Sequence, residues 1–289
     1  MDTLPAHLGT AGPPAGAGAG APESVAAPAA VPPAAGDAER PPGVTPILDA
    51  LTGAELVARL HEVARDGHVP LTYNDARDQM FTTLARASHP SGRVEAVFTG
   101  RTIPAVGGRT EAFGQGFNTE HLWPQSLGCR RGLRSDLHQV KPAEVRPNEI
   151  RANHPFGSVV EVLWESDPDG AGETSRLGRD ASGRVVFEPR ESMRGAIARS
   201  MMYVATRYGP EHIPGFSAAN FAVELDVLLG WNELHPPTER ERARSAAATR
   251  LQGNVNPFVL DHTLGTRAGS ALLDAARGAI PPAPVPAAA

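Results

Sequence analysis

A chain of 289 residues with a formal net charge of −5 and one cysteine has room for one large core or two small ones. It excludes an internal disulfide and a cysteine-based zinc cage. No run approaches the ~18 apolar residues of a membrane helix, and the N-terminus lacks the basic and continuous apolar regions of a signal peptide.

Residues 1–44, rich in Ala, Pro and Gly, hold almost no large apolar side chain. Such a segment cannot bury enough surface to offset its ordering entropy, so it is expected to be disordered. Residues 276–289 are expected to behave the same way. That leaves 45–275 as one domain with a substantial core. Asp2, Glu23, Asp37 and Glu39 in the tail face only Arg40, so the folded part is nearer neutral. Its basic charge is almost wholly arginine, with Lys141 the one lysine. Guanidinium suits bidentate phosphate contacts, although a GC-rich genome gives the same bias.

In chain order, apolar spacing predicts a helix over 45–67, stopped by Gly67, and a second over 70–87 with Asn74 as its cap. Alternation predicts a strand over 93–99. Residues 102–116, with four glycines, read as loop. Further on, 158–164 and 184–187 read as strands separated by a turn-rich 167–180. Three helices follow over 192–208, 221–231 and 237–252, and Asn254, Asn256 and Pro257 read as a closing turn. Arg194, Arg199 and Arg207 are expected on a solvated helical face. The mixture predicts an α+β fold, a small β-sheet surrounded by several helices.

Chemistry concentrates in 118–157, NTEHLWPQSLGCRRGLRSDLHQVKPAEVRPNEIRANHPFG. Phosphodiester cleavage needs a base for water, positive charge for the crowded phosphorane and help for the leaving oxygen. His121 suits the first, since neutral imidazole works near pH 7. Glu120 and Asn148 offer two hard oxygens, a set that fits Mg²⁺ with its retained waters better than zinc. Adjacent strand residues face opposite sides, so Glu120 and His121 can share one phosphate only where a strand ends or distorts. Pro124 is consistent with an ending strand. Asn148 follows Pro147, a favoured first-turn residue, which places it near a helix N-terminus that welcomes phosphate. The three side chains must therefore converge on one point that solvent can reach.

These residues are familiar together. TEHLWPQS, DLHQVKP, PNEIRAN with HPFG, FEPRESMRGAIARSMMYVATRY, and LLGWNELHPP with RLQGNVNPFVLDH resemble the bacterial endonuclease I family, within the His-Me finger (ββα-metal) nucleases. They occur in the family's order from about Pro70 to His262. The resemblance implies a ββα-metal core, His121 as general base, and Glu120 and Asn148 as holders of one Mg²⁺ (or Ca²⁺ or Mn²⁺). It implies cleavage of DNA, and of RNA as a second substrate, with little sequence preference and 5′-phosphate products. Many members are secreted or periplasmic. Some hold the phosphate with a loop arginine, and Arg130, Arg131 and Arg134 occupy that loop here. Gln139 stands where a second histidine is common after DLH, and Pro147 and Glu149 replace a more usual Val and Ser.

Around these, Asp136 is expected to brace the site through backbone hydrogen bonds, and His138 to play a supporting part. Arg151 and Asn153 are expected to touch phosphate or brace the helix. No membrane contact is expected, and the chain is expected to act as a monomer. Two other readings remain. One is a nucleic-acid-binding domain that does not cleave. The other is a zinc hydrolase using His121 and His138, for which no third ligand is evident. A Cys129–His nucleophile lacks a supporting third group.

Overall fold

The computed structural model describes residue 48 and residues 50–279. The expected tail over 1–44, and all of the expected tail over 276–289 except 276–279, lie outside the described residues.

Helix α1, Gly53–Arg65, buries Leu56, Val57, Leu60 and Ala64, one packed stripe at helical spacing. Helix α2, Tyr73–Gln79, runs through a π-helical stretch, Met80–Leu84, into α3, Ala85–Ser88. Its cap is Thr72 rather than Asn74. Thr72 has the extended backbone that a cap requires, and its hydroxyl oxygen accepts the Asp75 N–H at 3.2 Å. Asn74 lies inside the first turn, where its side-chain oxygen accepts from the Arg77 guanidinium at 2.5 Å.

The strand expected over 93–99 shrinks to β1, Val94–Glu95, paired antiparallel with β2, Thr102–Ile103. Beyond β1 the chain leaves the ladder, and the Val97 N–H donates to the Pro142 carbonyl at 2.8 Å instead. The expected loop over 102–116 thus contains β2 and also α4, Arg109–Gly114.

Strand β3, Phe117–His121, pairs antiparallel with β4, Val140–Glu144, with Glu120 opposite Lys141 and His121 opposite Val140. The connection holds a 3₁₀ turn, Gln125–Leu127, and a short α5, Arg131–Arg134. Helix α6, Val145–Arg151, follows β4 without a loop, so the segment is a β-hairpin closed by a helix. A meander follows: β5, Glu161–Glu165, then β6, Arg176–Arg179, then β7, Val185–Glu188. Strand β6 lies in the stretch expected to be turn.

The helical part comprises α7, Glu191–Arg207; α8, Phe221–Leu234; α9, Glu239–Gln252; α10, Pro257–Leu260; α11, Thr263–Ala268; and α12, Ala271–Ala276. The Asn256 side chain caps α10 by accepting the Phe258 N–H, with Pro257 at its first position. The architecture is α+β, helices around small antiparallel sheets.

Helix α7 is the centre of the larger core. Every residue from Gly195 to Arg207 is buried, and α8, α1 and α12 pack around it. Trp123, Phe156, Phe187, Phe221 and Phe258 complete this cluster, while Met80, Phe81, Leu84, Phe117 and Val140 form a second. Each such side chain contributes about 1.5–3 kcal/mol when removed from water. The β3–β4 hairpin lies between the two, giving Phe117 and Val140 to one and Ala143 to the other. Its position is therefore held from both faces.

The expected solvated face of α7 does not exist. Arg199 is 1 % exposed, and its Nε and Nη2 donate to the two Glu241 carboxylate oxygens at 2.7 and 2.5 Å. Arg207 pairs with Asp136 at 2.8 Å, and Arg194 with Glu188 at 2.9 Å. A buried guanidinium is costly unless paired or hydrogen-bonded, and α9, the loop between β3 and β4, and β7 supply these partners.

Candidate active site

The site is built on the end of β3 and the start of α6. His121 is the last residue of β3, where side chains from both strand faces can meet around the edge. Asn148 closes the first turn of α6, which begins at Val145, two residues before Pro147. The Asn148 amide nitrogen donates to Asn118 Oδ1 at 2.8 Å and to the Thr119 carbonyl at 3.4 Å. Both donors of the amide thus face β3, and its carbonyl oxygen is left as an acceptor.

Glu120 is 3 % exposed, and its Oε1 lies 3.2 Å from Arg151 Nη1. That oxygen is buried and accepts no hydrogen bond, so the contact is an ion pair without a bond. Burial pushes the Glu120 carboxyl above its ordinary range, and Arg151 opposes the shift only partly. Arg151 is itself 1 % exposed. It donates to the Leu122 carbonyl at 2.7 Å and the His121 carbonyl at 3.4 Å, and lies 4.6 Å over Phe156. Of the two parts expected for Arg151, phosphate contact or brace, these bonds are those of a brace between β3 and α6.

His121 is 5 % exposed. Its Nε2 lies 3.2 Å from the Arg134 carbonyl oxygen. A carbonyl only accepts, so Nε2 carries the proton and Nδ1 is the free base. Burial pushes the imidazole down to about 4. The Arg134 carbonyl opposes this, and the charges of Arg134, Arg77 and Arg151 reinforce it. The ring is neutral throughout the physiological range. Tyr73 of α2 stacks on it with centroids 5.8 Å apart, and the Arg77 and Arg134 guanidiniums lie 4.2 and 3.6 Å over the tyrosine ring.

Asn148 meets β3 at Asn118 and Thr119, just before Glu120, and the expected solvent-reachable point is not there, because Glu120 and His121 are buried. Glu120 and His121 lie beneath Arg151, Tyr73 and Arg134. The covering groups differ in freedom: Arg134 is exposed and Tyr73 half-buried, whereas Arg151 is buried.

Arg130, Arg131 and Arg134 all lie exposed on the connecting loop, and only Arg134 is placed against His121. The loop is anchored beneath them. Trp123 stacks on Phe216 at 4.7 Å, and a Cβ at Gly128, whose φ is +92°, would fall 2.5 Å from the Phe216 Cα. Gln139 donates to the Leu133 carbonyl at 2.9 Å and accepts from the Trp123 N–H at 3.3 Å, so the departure from a second histidine serves to tie the loop. Cys129 Sγ accepts from the same amide at 3.3 Å. Burial holds its thiol far above its ordinary value, so a thiolate nucleophile is disfavoured.

Asp136 is fully buried. It accepts the His138 N–H at 2.9 Å, and side-chain bonds from Gln252, Tyr203, Tyr208 and Arg207 at 2.7–2.9 Å. The expected backbone bond is thus one of five. His138 Nε2 lies 3.0 Å from the Asn254 carbonyl, and its ring packs edge-on against Tyr203, which turns it away from the zinc role. Among the described residues no group of three His, Cys, Asp or Glu is placed to hold a metal. Asn153 is exposed and links the exit of α6 to Ser126 at 3.3 Å and to Asn220 at 2.7 Å.

Three residues at the site carry roles that the motif reading did not assign. Asn118 could have been found by alternation, since it shares a strand face with Glu120 two residues on. Tyr73 and Arg77 come from a separate helix and left no local signal.

With this geometry in view, likeness to known proteins becomes informative. The chain is 29 % identical over 226 residues to an extracellular ribonuclease of Bacillus subtilis, covering 73 % of this chain and 72 % of that protein. It is 28 % identical over the same length to an extracellular ribonuclease of Bacillus amyloliquefaciens. An extracellular deoxyribonuclease of Aeromonas hydrophila is 31 % identical over 127 residues, covering 44 % of this chain and 50 % of that protein. The family model described as Endonuclease I matches residues 67–263, from the loop before α2 to the start of α11, and the chain belongs to that family.

Proposed function

We propose that the chain is a metal-dependent endonuclease of low sequence preference that hydrolyses DNA, and RNA as a second substrate, to 5′-phosphate ends. The observation that carries this reading is the hydrogen bond from the Asn148 amide to Asn118 on β3. It sets the asparagine carbonyl oxygen free beside the strand end that bears Glu120 and His121. Relatives named for activity on RNA and on DNA support both substrates.

Glu120 and Asn148 fit a hard divalent cation such as Mg²⁺, with Ca²⁺ or Mn²⁺ as substitutes. A buried carboxylate oxygen that accepts no hydrogen bond is an unmet acceptor, and two protein oxygens suit an ion that retains water. Such a cation would neutralise charge on the phosphate and on the departing 3′ oxygen. His121, neutral and protonated on Nε2, takes a proton from water at Nδ1 as the hydroxide attacks phosphorus in line. Its hydrogen bond to the Arg134 carbonyl keeps the ring oriented and steadies the imidazolium that forms. Arg134, exposed and with its carbonyl on His121, is the loop arginine this reading assigns to the phosphate. For substrate to reach His121, the Tyr73 ring and the Arg134 guanidinium must move aside.

Purified protein incubated with plasmid and with RNA tests this reading. Cleavage should require Mg²⁺ and stop with EDTA. His121→Ala should lower the rate by about 10²–10⁴, as for a lost general base, while DNA binding persists. Full cleavage in EDTA, or a wild-type rate from His121→Ala, would overturn the assigned roles. Binding without nicking in either buffer would favour a domain that holds nucleic acid and does not cut it.

A further inference from the structure

A cavity of about 480 Å³, not lined by His121, lies among β4, the π-helical stretch and α3, α7 and α9. Its size falls among small-molecule sites, which span roughly 300–1,000 Å³. Much of its wall is apolar, with Met80, Val97, Met193, Ala196 and Leu234 among the lining residues.

The charges in the wall do not balance. Five cationic side chains line it, Lys141, Arg190, Arg199, Arg240 and Arg244, against the carboxylates of Glu95 and Glu241. Glu241 is taken by Arg199, Glu95 is shared by Arg190 and Arg240, and Arg190 also pairs with Asp169 outside the cavity wall. Arg244 donates only to the Leu137 and Val140 carbonyls. Lys141, the one lysine of the chain, is 6 % exposed, and its ammonium makes no hydrogen bond or ion pair with any described residue. An ammonium held out of bulk water with no paired anion carries a heavy desolvation cost, and the field of Glu241 offsets it only partly, against those of Arg244 and Arg199.

We propose that this cavity binds a small organic carboxylate with an apolar body, its head on Lys141 and Arg244 and its body against Met80, Met193 and Leu234. One anion would remove the imbalance, and the apolar wall would shelter a chain or ring. Inorganic anions would fill only the charged end.

Because the chain has one lysine, the test can be read by mass. Full-length protein is treated with an amine-acylating reagent at pH 7, where a share of Lys141 is still ammonium, and intact mass with peptide mapping follows adducts at Lys141 and at the N-terminal amine. Octanoate should slow acylation of Lys141 and leave the N-terminal amine unaffected. It should also raise the thermal midpoint of the wild type. Lys141→Met should bind octanoate about 10- to 100-fold more weakly by calorimetry, the loss of a hydrogen bond to a charged partner. The proposal fails if octanoate neither protects Lys141 nor shifts the midpoint, or if Lys141→Met binds as tightly as wild type. It fails equally if phosphate or chloride protects and octanoate does not, because the site would then take a bare anion. The wild-type protection measurement stands even if the variant does not fold.

Discussion

Asp136→Asn removes one charge from the centre of the molecule and changes almost no volume. In the wild type one oxygen of Asp136 accepts from the His138 N–H and Gln252, and the other accepts from Tyr203, Tyr208 and Arg207. An amide must place its NH₂ against one of these two sets of donors, whichever way it turns. It also leaves the Arg207 guanidinium, 7 % exposed, without an anion. Breaking one side of a buried pair costs about 3–5 kcal/mol. The unmet donors belong to the same event and are not added separately. A domain of this size shifts by about 2–4 °C per kcal/mol, so the thermal midpoint should fall by roughly 10 °C.

The pH dependence gives a sharper test of the same bond. Burial alone would raise the Asp136 carboxyl, but Arg207, His138 and the surrounding donors together hold it below its ordinary value. A carboxyl depressed in the fold contributes stability that is fully present above the unfolded value of about 3.9. That contribution is lost as pH falls through the lower folded value. The stability gap between wild type and Asp136→Asn should therefore be constant from pH 5 to 7 and narrow below about pH 4. Urea titrations followed by circular dichroism at several pH values measure it. A gap under 1 kcal/mol at pH 7, or one that widens in acid, would refute the bonding described for Asp136.

Other consequences can be measured alongside. Tyr73→Ala should expose His121, and the rate at which diethyl pyrocarbonate modifies that ring should rise severalfold; an unchanged rate would mean that Tyr73 is not the cover. Lys141→Met should stabilise the fold most at or below pH 7. Burial and Arg244 push the Lys141 ammonium down to about 7, against about 10.4 unfolded, so the wild-type deficit is full below pH 7. It should disappear as pH rises toward 10, and denaturant midpoints for both proteins at pH 6 and pH 10 decide the sign.

The parts legible in the sequence were those whose signal is local. Helices α7 and α8 are rich in apolar residues and α9 in charged residues and alanine, and the ends of all three fall close to the expected positions. Strands β2 and β6 are short and gain definition from their partners, so alternation did not mark them, and it overran the two residues of β1. Glu120, His121 and Asn148 stood out because each sits in a long motif. The burial of Glu120 and His121 did not, because Tyr73 lies on a helix far upstream and Arg151 reaches back from the far end of α6. The arginines of α7 were misread for a related reason. Their neutralising carboxylates, Glu241, Asp136 and Glu188, come from other elements, and a helix read alone shows only unpaired charge.

Arg151 ties the two halves of the candidate site together. One nitrogen of its fork, Nη1, faces the Glu120 carboxylate and donates to the His121 carbonyl, and the other, Nη2, donates to the Leu122 carbonyl. The same side chain thus offsets the charge of Glu120 and fixes the backbone as it leaves β3. That backbone sets where the His121 ring stands against Tyr73 and the Arg134 carbonyl. Lysine would keep the charge but concentrate its donors on one short ammonium, and so could not span the carboxylate and both carbonyls. Glu120 and His121 are therefore coupled through a third residue that is itself buried. Its burial against Phe156 gives the coupling its stiffness, which makes the larger core part of the site's geometry as well as of the fold's stability.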